Sequence, residues 1–189
     1  KKVFFAIVNN KQWDKTRPIV DDSLLKLITK KDKDDALEIL RHGCAHILAE
    51  AVLELYPETQ VTIGPPIKDG FYYDFYREKS FNTDDLIKIE QKMHEIVDRD
   101  EKIERGEWNK EEAVEFYIKK QEPFKVELVK DIPDDEIISF YKQGDFIDLC
   151  RGPHLSSTKE TGHAFKLMKV AGAYWRGNSK NQMLQRIYG

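Results

Sequence analysis

Apolar positions along the chain fall into short runs that change period several times. Residues 3–8 (VFFAIV) and 23–29 (SLLKLIT) read as short strands joined by a polar turn region, with a charged linker over 30–35. Ala36 to Tyr56 reads as a helix capped by Asp34 or Asp35 and stopped before Pro57. Residues 61–77 hold two aromatic or β-branched runs separated by Gly64-Pro65-Pro66 and Asp69-Gly70, which predicts hairpins. From Thr83 to Arg105, Leu86, Ile89, Met93, Ile96 and Val97 form one stripe of a long helix. Asn109 followed by Glu112 opens a second helix, through about Gln121. Phe124, Val126 and Leu128 alternate with Lys125 and Glu127, as in a half-buried strand, and Pro133 to Lys142 fits a short helix closed by Gly144. Residues 145–150 and 164–175 are further strands. Helices and strands mix without βαβ alternation, so the expected class is α+β, a two-layer sandwich of antiparallel sheet and helices.

Composition narrows the classes. The 189 residues are 40% hydrophobic and 34% charged, too apolar for a disordered chain, and contain no run long enough to span a membrane. Two cysteines make no disulfide framework, so a reduced, cytoplasmic setting is expected. The net charge of −3 hides a split. Residues 150–189 carry seven basic side chains against Glu160, a local charge of +6, so residues 1–149 carry −9. Such asymmetry suggests a partner for the basic end, or equally a solvated basic surface.

Candidate chemistry sits in two short patterns. His42 and His46 are four residues apart in a predicted helix, about 40° apart around its axis, and share the stripe of Ile39, Ala49 and Leu53. Inward imidazoles at this spacing serve metal ligation, acid–base chemistry or simply a satisfied core. Cys44 lies on another side of that helix and reads as a core residue. Asp148 and Cys150 share one face of a strand, and Gly152-Pro153 turns His154 back towards it. Together, His42, His46, Cys150 and His154 offer three nitrogens and a sulfur, a plausible tetrahedral zinc set. The same groups without metal suit the holding and activation of a water; spacing does not separate the two. His94 and His163 read as structural or surface residues.

RHGCAHILAEAV (41–52), IGPPIKDGFYYDF (63–75), DFIDLCRGPHL (145–155) and HAFKLMKVAGAYWRGNSKNQMLQRIYG (163–189) occur in the order of the threonyl-tRNA synthetase editing domain. The chain resembles that family, related to the alanyl-type editing domains, over about residues 32–189. Residues 1–31 resemble the C-terminal half of a small ubiquitin-like (TGS) domain, residues 32–175 the editing domain, and residues 176–189 a linker helix towards a class II catalytic core. On that resemblance the chain is a piece of a longer polypeptide, and the ATP and zinc of the synthetase belong to the core outside it.

The resemblance implies hydrolysis of mischarged seryl-tRNA(Thr), because a missing methyl is worth only about 1–3 kcal/mol of discrimination and a second sieve is needed. By motif, His42, His46, Cys150 and His154 form the pocket floor, with Tyr73, Lys125 and Asp148 around it. His42, with Lys125, positions and activates water; Lys125 also suits an oxyanion stabiliser. Asp148 binds the seryl ammonium or hydroxyl, and His46, Cys150 and His154 shape the site. The expected partner is the acceptor end of tRNA(Thr) carrying serine; the full enzyme is expected to be a dimer, this piece a monomer. No metal or other cofactor is expected to be required. Other readings are a non-catalytic module that docks the acceptor arm, a zinc-dependent hydrolase of the alanyl type, and a free-standing editing protein, against which the linker-like C-terminus argues.

Overall fold

A computed structural model describes residues 2–189. In chain order the elements are β1 (Val3–Val8), β2 (Lys11–Asp14), β3 (Leu25–Thr29), α1 (Lys33–Leu55), β4 (Gln60–Val61), β5 (Pro66–Ile67), β6 (Gly70–Tyr76), α2 (Thr83–Arg99), β7 (Ile103–Trp108), α3 (Lys110–Lys119), α4 (Pro123–Asp131), β8 (Ile138–Gln143), β9 (Phe146–Leu149), β10 (Lys169–Tyr174) and β11 (Met183–Tyr188). The strands form three antiparallel sheets, ordered β2-β1-β3, β10-β11-β6-β4 with β5 paired to β6, and β7-β8-β9. The class is α+β, as the mixed periodicity implies.

The largest core joins α1 and α2 to the sheet containing β6. Leu48, Val52, Ile89, Met93 and Ile96 pack with Phe75 and Ile187, all essentially without solvent contact. Both capping boxes are closed: Asn82 with Asp85 starts α2 and Asn109 with Glu112 starts α3, each pairing satisfying two otherwise orphaned backbone amides. A second cluster brings Phe4, Phe5 and Ile28 of the N-terminal sheet against Ala36 and Ile39 of α1, Ile103, Tyr141 and Leu155. That sheet therefore shares a core with the rest of the chain.

Four expectations are corrected. The long helix stops at Arg99 because Asp100 adopts a left-handed conformation, φ 53°, and the chain then enters β7, paired along its whole length with β8. Residues 124–128 are helical, in α4: Pro123 takes the first helical position, where its missing N–H costs nothing, and the buried Phe124, Lys125 and Val129 form a helix face. The helix expected over 133–142 is replaced by β8, whose Ile138, Phe140 and Tyr141 are the β-branched and aromatic types that suit a pleated surface. The segment 176–189, expected as a helix, ends in β11, a central strand between β10 and β6. The polar region between the first two expected strands also contains β2.

Glu50, on α1, is only 4% exposed and accepts a hydrogen bond from Gln143 Nε2 at 2.6 Å. Burial pushes its carboxyl up to about 9, against the lowering effect of that bond. A carboxyl raised in the folded state holds its proton more tightly there than in the unfolded chain. Its stabilisation is complete below the ordinary value of 4.5 and is lost as pH climbs towards 9. Thermal melts between pH 7 and 9, above the range in which the buried histidines contribute, should show stability falling with pH, and Glu50→Gln should flatten the slope and be the more stable protein at pH 8. Parallel curves for the two proteins would contradict the assignment.

Candidate functional site

The α1 periodicity that buries Leu48 and Val52 turns His42 and His46 towards the end of β9. Their ring centroids lie 5.0 Å apart, edge to face. Asp148 belongs to β9; Cys150 comes just after it, and a cis Gly152-Pro153 bond leads into His154. The His154 ring lies 4.1 Å from both other imidazoles. Cys150 Sγ is 3.2 Å from His42 Nε2 and 3.3 Å from His154 Nε2. One donor atom from each of these four residues lies within 4.8 Å of the other three. The two sequence patterns, with His42 and Cys150 108 residues apart, thus meet in one cluster.

Lys125, Tyr73 and Asp148 form its inner wall. Lys125 donates to Asp148 Oδ1 and, at 3.2 Å, to the Tyr73 hydroxyl, which donates to Asp148 Oδ2 at 2.6 Å. All three side chains are buried, Lys125 to 1% exposure. Tyr73 is reached closely by the backbone at Gly64, where any Cβ would overlap its ring. The cluster opens into a cavity of about 470 Å³, within the range of small-molecule sites, that is also lined by Pro65, Leu128, Ile132, Ile137 and Ile138.

Burial sets the charge states. It lowers His42 to about 4 and His46 to about 3, in each case against the attraction of Asp148, and lowers His154 too. Burial alone would raise the Asp148 carboxyl, but Lys125, His46 and the Tyr73 hydrogen bond together hold it below the usual range. The Cys150 thiol is pushed up to about 12 by burial. At neutral pH the site therefore combines three neutral imidazoles and a thiol with one internal ion pair. Neutral imidazoles are the form that accepts a proton and also the form that ligates metal, and His154 Nδ1 is a buried nitrogen without a partner among the described residues. The donor set fits a tetrahedral divalent ion such as zinc.

Other candidates lie elsewhere. Cys44 is in the main core, its thiol also raised by burial to about 12. His94 and His163 pair at the surface, Nδ1 to Nδ1 at 2.9 Å, with His163 Nε2 3.1 Å from Asp98. Of the seven basic residues after position 149, Arg151, Lys159, Arg176 and Arg186 are each within salt-bridge distance of an acid. The +6 is thus partly neutralised within the fold. No helix among the described residues is long and apolar enough to cross a membrane.

A family model described as the threonyl and alanyl tRNA synthetase second additional domain matches residues 138–188. Residues 138–188 are thus similar to that second additional domain. The match covers β8 to β11 and so includes Asp148, Cys150 and His154, whereas His42, His46, Tyr73 and Lys125 enter from outside it. Over all 189 residues the chain is 58% identical to a threonine–tRNA ligase of Paramagnetospirillum magneticum, 53% to one of Maricaulis maris and 54% to one of Rickettsia bellii. It spans 29–30% of the length of these curated relatives. Around the matched segment, α1, β6 and α4 bring four of the seven predicted site residues to the cluster. Two further contributors, Asp14 and Tyr141, carry no local signal in the sequence.

Proposed function

We propose that this chain hydrolyses the ester linking serine to the terminal adenosine of tRNA(Thr), as the editing part of a threonine–tRNA ligase. The observation that supports it best is the cluster of neutral imidazoles at the floor of a ligand-sized cavity, beside a buried Lys125–Asp148 pair. A water held by His42 attacks the ester carbonyl and gives up its proton to that neutral imidazole. Lys125 stabilises the charge that develops on the carbonyl oxygen, and the leaving ribose oxygen takes the proton back. Asp148 offers the carboxylate nearest the floor for the seryl ammonium, Tyr73 braces that carboxylate, and His46, Cys150 and His154 shape the floor. Zinc, where bound, would be held by His42, His46, Cys150 and His154 and would supply Lewis acidity; each step of the hydrolysis uses the chain's own side chains.

The acceptor end of tRNA is the partner on this reading. The test is a deacylation assay with seryl- and threonyl-tRNA(Thr). Seryl-tRNA should be discharged and threonyl-tRNA spared, and His42→Ala should slow the reaction by about 10²–10⁴-fold, the range of general acid–base catalysis. Binding of tRNA without discharge would replace hydrolysis by a docking role. Discharge that survives His42→Ala would remove the proposed base.

A further inference from the structure

Asp14 lies on β2, in the N-terminal sheet, yet both of its carboxylate oxygens are committed to the site. Oδ1 accepts the backbone N–H of His154 at 2.8 Å, and Oδ2 accepts the Tyr141 hydroxyl at 2.8 Å. Asp14 is 6% exposed, Tyr141 2% and His154 1%. The Tyr141 ring stands 4.4 Å from the His154 imidazole, and its hydroxyl lies directly under Gly152, where a Cβ would overlap it. Gly152 in turn donates its N–H to Cys150 Sγ at 3.3 Å. The carboxylate therefore holds, at one end directly and at the other through Tyr141 and Gly152, the segment that carries two of the four cluster donors. Neither hydrogen bond is needed to build a strand: β2 is already paired to β1, with Asp14 opposite Phe5. A buried carboxylate accepting only two hydrogen bonds is costly to desolvate, so its placement here is informative.

We propose that Asp14 is a positioning residue: it fixes the backbone from Cys150 to His154 and so sets the orientation of the His154 ring and the Cys150 thiol towards His42. The effect on turnover rests on the proposed ester hydrolysis; the effect on ring orientation does not.

The experiment compares Asp14→Ala, Asp14→Asn, Tyr141→Phe and Lys15→Met in the 189-residue chain. Lys15 lies next to Asp14 and bridges to Glu160 at 2.5 Å without touching a cluster residue, so it is the control for loosening of the N-terminal sheet. Two readouts are taken: steady-state discharge of seryl-tRNA(Thr), and the imidazole signals of His154 by NMR. Asp14→Ala is expected to lower kcat by about 10–100-fold with KM within about twofold, since an ångström of misplacement in the surroundings of a reacting group such as His42 costs about that much, and to shift the His154 signals. Asp14→Asn keeps an oxygen for the His154 amide and should recover most of kcat and the wild-type spectrum. Tyr141→Phe should fall between, and Lys15→Met should match the wild type in both readouts. Unchanged His154 signals in Asp14→Ala would overturn the proposal, as would equal losses in the Ala, Asn and Lys15→Met proteins. A wild-type chain that discharges nothing would overturn the hydrolytic reading, while the NMR comparison would still decide the role of Asp14.

Discussion

Replacing Lys125 by Met is expected to lower the free energy of unfolding by about 3–5 kcal/mol, because it leaves the buried Asp148 carboxylate without its cation. The ammonium and the carboxylate are 1% and 3% exposed, and only the Tyr73 hydroxyl and the more distant His46 would remain to support the charge. Breaking such a pair from one side is much worse than removing both charges. The double variant Lys125→Met/Asp148→Asn should therefore recover a substantial part of the loss, and denaturant unfolding of the four proteins of the cycle measures the coupling. A Lys125→Met protein within about 1 kcal/mol of the wild type would contradict that cost. The same experiment bears on function, since a lysine held only for stability would leave turnover intact in any variant that still folds.

The second large effect is expected at Gly152. Its φ is +71°, which L side chains avoid at a cost of about 1–2 kcal/mol, and a Cβ there would overlap the Tyr141 hydroxyl. Overpacking of a rigid neighbourhood adds about 1–3 kcal/mol. Tyr141 has little freedom to withdraw, being buried and bonded to Asp14. Gly162 is the natural control: its φ is +73°, but a Cβ there meets nothing within 4 Å. Thermal or chemical unfolding should show Gly152→Ala losing clearly more than Gly162→Ala. Equal losses in the two proteins would contradict a cost from the overlap with Tyr141.

The cluster is legible in the sequence because its members carry local signals. A four-residue spacing on an apolar stripe and a Gly-Pro turn between Cys150 and His154 each say where a side chain goes. Lys125 does line the pocket, but from a helix rather than the expected strand. Five alternating residues are too few to tell period 2 from a helix face, and Pro123 is the better guide, since it marks a helix start. The Ile138–Tyr141 stretch reads as a helix because Pro133 precedes it and Gly144 follows; its residue types favour the strand it forms. The C-terminal segment reads as a helix by resemblance, whereas MLQRIY buries Leu184 and Ile187 and pairs on both sides as a strand. Asp14 is invisible for a different reason. It is one aspartate in a polar stretch, and its partners are 127 and 140 residues away, so no window of sequence contains the interaction.

The position of β11 has a consequence for the order in which the protein is made. It is the last strand in the chain, yet it lies between β10 and β6, with Tyr72 to Phe75 of β6 paired to Tyr188 to Gln185. During synthesis β6 emerges more than a hundred residues before its partner, and the edge that β11 will occupy stays open while the ribosome completes the intervening chain. An aromatic strand with an unpaired edge is a template for association with other chains. Closing it is a long-range step that comes late and is intrinsically slow. A ribosome that stalls before residue 183 would leave Phe71, Tyr73 and Phe75 on a sheet lacking the strand that covers its edge, so the window between translation of β6 and of β11 is where this chain most needs protection from its neighbours.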